Sequence, residues 1–329
     1  MSVIRERTAP PSPLRRTVPG LSGPPPRRAR RSGERRGLLP YALIAPAVGG
    51  MLYLLVYPLL RAVLISLQDF RLRQLITGDA EFVGLRNYRT LLSDPRFWEV
   101  VRRTFVFMAV NVVLIMVIAT LVALMTERLG RIARTVVLGS LVLAWAMPVI
   151  AATTVFQWLF HSEFGIVNHL LTGAGLSSFD RYPWFAHGTT AFAVLVLLIV
   201  WQSVPFAAVT VYSALTTVPA ELYESARLDG AGAVRIFRSV TFPVLRPIFL
   251  LVFSLEVIWT FKAFVQIWVM TRGGPGDATT ILPVYAVQTA LAGQRYDLGS
   301  AASMVTVVLM SGVLVLYFRQ MLRQEDEIR

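Results

Sequence analysis

Six long apolar runs, at about residues 38–67, 104–126, 135–160, 188–213, 244–269 and 299–318, leave this chain few folds to choose from. Each is long enough to cross about 30 Å of hydrocarbon as a helix rising about 1.5 Å per residue. No water satisfies backbone N–H and C=O groups at that depth, so a spanning run of this length must be helical. The expected fold is therefore an all-α membrane protein with six transmembrane helices, a membrane domain over 38–329 and a separate tail over 1–37. Pro46, Pro58, Pro148 and Pro205 interrupt the runs and are expected to kink or loosen them. With 55% hydrophobic and 16% charged residues among 329, the chain is too apolar for an ordinary soluble domain.

The net charge of +13 is mostly a matter of the tail, which holds 10 of the 32 basic residues in its first 37 positions. A segment such as GPPPRRARR cannot bury a core and favours extended, disordered backbone. It is not a basic folded face, so nucleic acid is not expected as a partner. The arginines either lie on anionic membrane lipid or stay solvated and fix orientation. The first apolar run begins only after these residues and is long enough to span, which makes it an uncleaved helix and not a secretory signal. With the tail inside, segments 1–37, 127–134, 214–246 and 319–329 are cytoplasmic and carry 20 basic residues, against 10 in outer loops 68–103, 161–187 and 270–298. Both termini are then cytoplasmic. Seven of the outer ten fall in the first outer loop, nearly balanced there by Asp69, Asp79, Glu81, Asp94 and Glu99.

Several chemistries are excluded. With no cysteine, there is no disulfide framework, thiolate metal site or cysteine nucleophile. The only lysine, Lys262, follows Phe261, so no Walker A loop is present to hold ATP. His161, His169 and His187 have no metal-ligand spacing. No catalytic residues and no metal site are expected.

The most polar interruption, over 214–243, contains ELYESARLDGAGAVRIFRSVTFP. It reads as two short helices about a tight turn. Thr217 is suited to cap the first, Glu221 sits where the helix dipole favours a carboxylate, and Asp229-Gly230 supplies the stop, with a left-handed backbone available at Gly230. The second is expected to end near Pro243. Leu222, Ala226, Ile236, Phe237 and Val240 give the pair an apolar side, suited to docking in a partner's groove.

Glu224-Ser225-Ala226, then Gly230, then Val240, Phe242 and Pro243 at the matching spacing, resembles the EAA loop of ABC importer permeases, with Ser225, Val240 and Phe242 as mild departures. FVGLRNYRTLLSDPRFW from Phe82 to Trp98, the blocks at 143–168 and 198–226, and MTRGGPGDATT at 270–280 are similar to the carbohydrate permeases of that family. The likeness covers about Phe82 to Phe318. It implies that Glu224, Ser225, Ala226, Asp229, Gly230, Phe237 and Pro243 meet a separate cytoplasmic ATPase. It also implies a second, related permease, two ATPase subunits, an external solute-binding lipoprotein and a sugar substrate, in a bacterial inner membrane. No cofactor is expected on this chain; ATP and magnesium belong to the ATPase.

In the first outer loop, Asp94-Pro95 reads as a turn before a short interfacial helix anchored by Phe97 and Trp98. Arg272, Gly273, Gly274 and Pro275 form a candidate contact or hinge for the binding protein; the alternative is a plain surface turn. On a single helix through the fifth run, Glu256, Trp259, Lys262 and Gln266 share an arc of about 120° at 100° per residue, opposite Val257, Phe261, Phe264 and Trp268. Charged groups at mid-membrane are costly and face a cavity or a partner helix, which makes this arc a candidate sugar pathway. A Glu256–Lys262 contact serving only to hold helices together is the alternative. On this reading the chain is a permease subunit importing a sugar by alternating access. An ion-coupled secondary transporter, or an ABC permease for another solute, is the competing reading.

Overall fold

The first apolar run is helical on either side of one widened turn. The computed structural model describes residues 39–326, so the tail expected over 1–37 lies outside the described residues. Residues 39–53 belong to a unit of their own and carry helix α1 (Leu39–Met51), with Pro46 inside it. A wide turn covers Leu52–Val56, and the second unit, which begins at Leu54, has α2 (Tyr57–Ser66) as its first α-helix, with Pro58 at a first-turn position where a missing N–H removes no bond.

A compact loop region follows. β1 (Gln68–Asp69) pairs antiparallel with β2 (Glu81–Phe82), in register Gln68 to Phe82, around α3 (Leu72–Thr77), and α4 (Arg86–Leu92) closes it. Asn87 pins this region by donating to the Ser66 and Gln68 carbonyls. The short interfacial helix expected after Asp94-Pro95 is instead the beginning of the second span. Asp94 caps it by accepting from Arg96 N, and α5 (Pro95–Glu127) then runs 33 residues without a break. No glycine or proline stands between Pro95 and Glu127, so nothing stops the helix once capped.

The third apolar run is not one straight helix. α6 (Arg131–Trp145) and α7 (Val149–Leu159) meet at a bend of 98°, because Pro148 takes an extended backbone at the N-cap of α7. A connection containing α8 (Ile166–Gly173) leads to α9 (Gly188–Leu215), whose helix continues through Pro205. Then come α10 (Ala220–Leu228), α11 (Ala233–Ile236), α12 (Phe242–Phe261), α13 (Val265–Met270), α14 (Leu282–Val287) and α15 (Tyr296–Asp326). Among the described residues five helices are long and apolar enough to cross a membrane, and six spans result if the bent α6–α7 pair is one.

The centre of the second unit is α9 against α5 and α12. Buried Ala119 and Ala123 of α5 and Ala191, Ala207 and Ala208 of α9 allow close backbone approach, the usual way helices associate where lipid is as apolar as the side chains. Phe107 meets Phe192 edge to face at 5.0 Å near one end. Towards the other, Ala123, Val211, Leu215, Leu245 and Phe249 cluster, so α5 and α9 run the same way and α12 runs against them. Hydroxyls in this apolar setting bond back along their own helices, as Thr104 does to the Val100 carbonyl and Thr126 to that of Val122.

Candidate functional site

At the α10 end of the bundle the sequence builds an arm that is held at its base and open along its length. Pro219, not Thr217, is the N-cap residue of α10, and the Thr217 hydroxyl is taken by the Ala214 carbonyl. Asp229 is the C-cap, and Gly230 turns the chain at φ +71°, with nothing within 4 Å of where a Cβ would sit. The second helix does not end near Pro243. A wider turn at Phe237–Thr241 joins α11 to α12 without interruption, and it absorbs the N–H that Pro243 lacks.

No residue of α10 or α11 is buried. Glu224, Ser225 and Asp229 are exposed, and the apolar side chains of Leu228 and Val234 are 89% and 72% exposed. Ala226 is half-buried. Phe237 turns inward instead, onto Phe242 at 6.2 Å and Phe249 at 6.4 Å, and so anchors the arm to α12. The Thr241 hydroxyl approaches Tyr223 Oη at 3.4 Å on the same side. Between the arm and the end of α5 lies a groove of about 1080 Å³ whose lining includes Leu121, Leu124, Tyr223, Arg227 and Phe242.

In the middle of the bundle the expected polar arc is not one arc. α12 stops at Phe261, and Lys262–Phe264 break the helix before α13, so a single helical wheel does not extend to Gln266. Glu256 is fully buried among the chain's own helices; Ser203 of α9 is its polar neighbour, but neither carboxylate oxygen has a hydrogen bond of ordinary geometry. Lys262 is exposed and Trp259 half-buried. Gln266 meets a residue that the sequence reading passed over, donating from Nε2 to Gln202 Oε1 of α9 at 3.2 Å. One turn along α9, Phe206 contacts Trp259 at 5.0 Å and Trp145 at 5.8 Å. The half-exposed face is thus an amide pair beside three aromatic rings. An uncharged amide within the apolar run LIVWQSVPF was the visible signal for Gln202.

At the opposite end, the loop after α13 is fastened by several hydrogen bonds. Gly273 is buried, with φ +90°, and a Cβ there would collide with Thr280 Oγ1 and Gln288 Nε2. The Thr279 hydroxyl donates to the Gly274 carbonyl at 2.7 Å, and Gln288 Nε2 to the Arg272 carbonyl at 2.8 Å. Arg272 is exposed, and Gly274 and Pro275 are half-buried. The arginines concentrated in 68–103 prove to be the fasteners of this end. Arg71 and Arg86 hold Asp69, Arg96 meets Asp277 at 2.6 Å, and Arg103 reaches the carbonyls of Asp277 and Thr280. Burial, then the neighbouring Asp94 carboxylate, hold the Tyr285 phenol above its ordinary pKa, and its Oη lies 3.4 Å from Asp94.

The profile of the family described as "Binding-protein-dependent transport system inner membrane component" matches residues 115–325. Across 328 residues the chain is 45% identical to the diacetylchitobiose uptake system permease protein of Streptomyces coelicolor, covering 99% of each. It is 31% identical over 287 residues to the trehalose/maltose transport system permease protein MalF of Thermococcus litoralis, covering 87% of this chain and 94% of that one. A chain of a bacterial ABC transporter importing the acidic polysaccharide alginate superposes with a TM-score of 0.74 at 19% identity, over 88% of this chain and 96% of that one. A second structure of an alginate transporter, in complex with a pentasaccharide-bound periplasmic protein, matches with a TM-score of 0.71 at 19% identity.

Proposed function

The chain belongs to the inner membrane components of binding-protein-dependent transport systems, and from that premise we propose that it imports an oligosaccharide by alternating access, driven by ATP hydrolysed on a separate chain. It is a multi-pass permease subunit of an ABC importer and not an enzyme. The observation that carries the substrate class is the 45% identity, across 99% of both chains, to a permease for diacetylchitobiose. The half-exposed face of Gln202, Phe206, Trp259 and Gln266 suits the same class: amides satisfy hydroxyls, and aromatic rings accept the apolar faces of a sugar.

In this reading the arm from Ala220 to Thr241 enters a groove of a cytoplasmic ATPase that binds ATP and magnesium. Glu224, Ser225, Ala226, Asp229, Gly230 and Pro243 lie on the meeting side or set its shape, and Phe237 ties the arm to α12. A second permease completes the pathway, and a second ATPase serves it. The end carrying Arg272, Gly273, Gly274 and Pro275 faces outward and receives a solute-binding protein, with both termini in the cytoplasm. The test is uptake of radiolabelled N-acetylated and plain glucose disaccharides by cells with and without this chain. Loss of uptake on deletion, insensitive to collapse of the ion gradient but dependent on ATP, is expected. Uptake that follows the ion gradient would overturn the ATP-driven reading.

A further inference from the structure

We propose that Arg103 is a positioning residue for docking of the external solute-binding protein: anchored on α5, its guanidinium sets the shape of the loop Arg272–Thr280 that this protein meets. The inference rests on the reading above that this end of the bundle faces outward and receives such a partner.

The loop has a backbone that local preference does not maintain. Arg272, Gly273, Gly276 and Asp277 have φ of 52°, 90°, 52° and 64°, and two of the four are not glycine. A non-glycine residue in that region is unfavourable and persists only where its surroundings impose it. Thr279, Thr280 and Gln288 hold the first half of the loop from within, through the carbonyls of Gly274, Gly273 and Arg272, and Arg103 ties its second half to a distant part of the chain. Its Nη1 donates to the Asp277 carbonyl at 2.7 Å and to the Thr280 carbonyl at 3.1 Å. Its Nη2 donates to Glu99 at 2.6 Å, which fixes the fork one turn back on α5. The next residue adds a bond, the Thr104 hydroxyl accepting from Leu282 N at 2.9 Å.

The Arg103 side chain is only 14% exposed, whereas Arg272 and Gly276 are exposed on the rim. Arg103 therefore works through the loop's carbonyls from beneath and leaves the rim free for a partner. Only arginine offers a planar, permanently charged fork able to hold two carbonyls and a carboxylate together; lysine is a point charge that can satisfy part of the set. The Arg96–Asp277 ion pair is about half-exposed and contributes little by comparison.

The experiment uses the complete transporter in proteoliposomes with a solute-binding protein chosen by its affinity for the sugar that the cells take up through this chain. Arg103→Ala is expected to raise the half-saturating concentration of that protein about tenfold while the maximal stimulated rate changes less than twofold, and Arg103→Lys to recover part of the loss. The chain has no cysteine of its own, so a nitroxide on Arg272→Cys reports loop mobility, which should rise with Arg103→Ala and fall again with Arg103→Lys. An unchanged half-saturating concentration, or a fall in maximal rate alone, overturns the proposal in favour of a merely structural arginine. If Arg103→Ala fails to assemble, Arg103→Gln is judged by the same criteria. Absence of stimulation in the wild type would overturn the outward-facing reading itself, and this inference with it.

Discussion

Gln266 donates from Nε2 to Oε1 of Gln202 at 3.2 Å, joining α13 to the middle of α9 beside Phe206 and Trp259. The two amides present donors and acceptors of the kind that sugar hydroxyls need. Losing one such hydrogen bond on a half-exposed face costs about 0.5–1.5 kcal/mol. Gln202→Leu should therefore raise the half-saturating sugar concentration several-fold in uptake assays, with the complex still assembled. Unchanged uptake kinetics would remove this face from the pathway.

Single cysteines should divide this region by burial. Positions 202, 259 and 266, half-buried on the open face, should react with a water-soluble thiol reagent and be protected by sugar. Positions 256, 257 and 261, buried within the bundle, should stay unreactive in the same labelling time course. Rapid labelling at 256 would mean that Glu256 reaches the pathway in another transport state.

Gly230 has room around it but an unfavourable backbone, so its replacement is a test of φ and not of space. Valine in a left-handed position should cost about 1–2 kcal/mol, whereas asparagine tolerates it far better. Co-purification of the ATPase should fall several-fold with Gly230→Val and be largely kept with Gly230→Asn. Equal recovery of ATPase with both variants would show that the arm's aim does not matter.

Arg134 closes the turn between α5 and α6, donating to the carbonyls of Thr126, Glu127 and Leu129 and lying 5.9 Å from the Tyr212 ring. Hydrogen bonds made by a charged donor contribute about 1.5–3 kcal/mol. Arg134→Ala should lower the thermal unfolding midpoint of the purified protein by several degrees, and Arg134→Lys by less. A midpoint that does not move would reduce the contact to a surface ornament.

The apolar runs were legible because a membrane span is a matter of length and hydropathy, and those are properties of sequence. Where helices begin and end was less so. Pro148 bends the chain sharply while Pro205 lies within a continuous helix, and proline alone does not tell these apart. Gly230 was readable because a helix stop and its φ are local. The arc of Glu256, Trp259, Lys262 and Gln266 failed because it assumed one unbroken helix, and Lys262–Phe264 interrupt it with neither glycine nor proline to announce the break. Arg96 and Arg103 looked like a charge imbalance because their partners lie about 177 residues away.

The 33 residues of α5 amount to about 50 Å of rod, against a hydrocarbon thickness of about 30 Å. One end carries Arg103 and the fastened loop; the other borders the groove beneath the arm. A rod with no joint cannot deliver a message late. Whatever tilts or slides it at one surface is felt at the other in the same movement, so on the function proposed above, arrival of cargo and closure of the motor would be two readings of a single displacement.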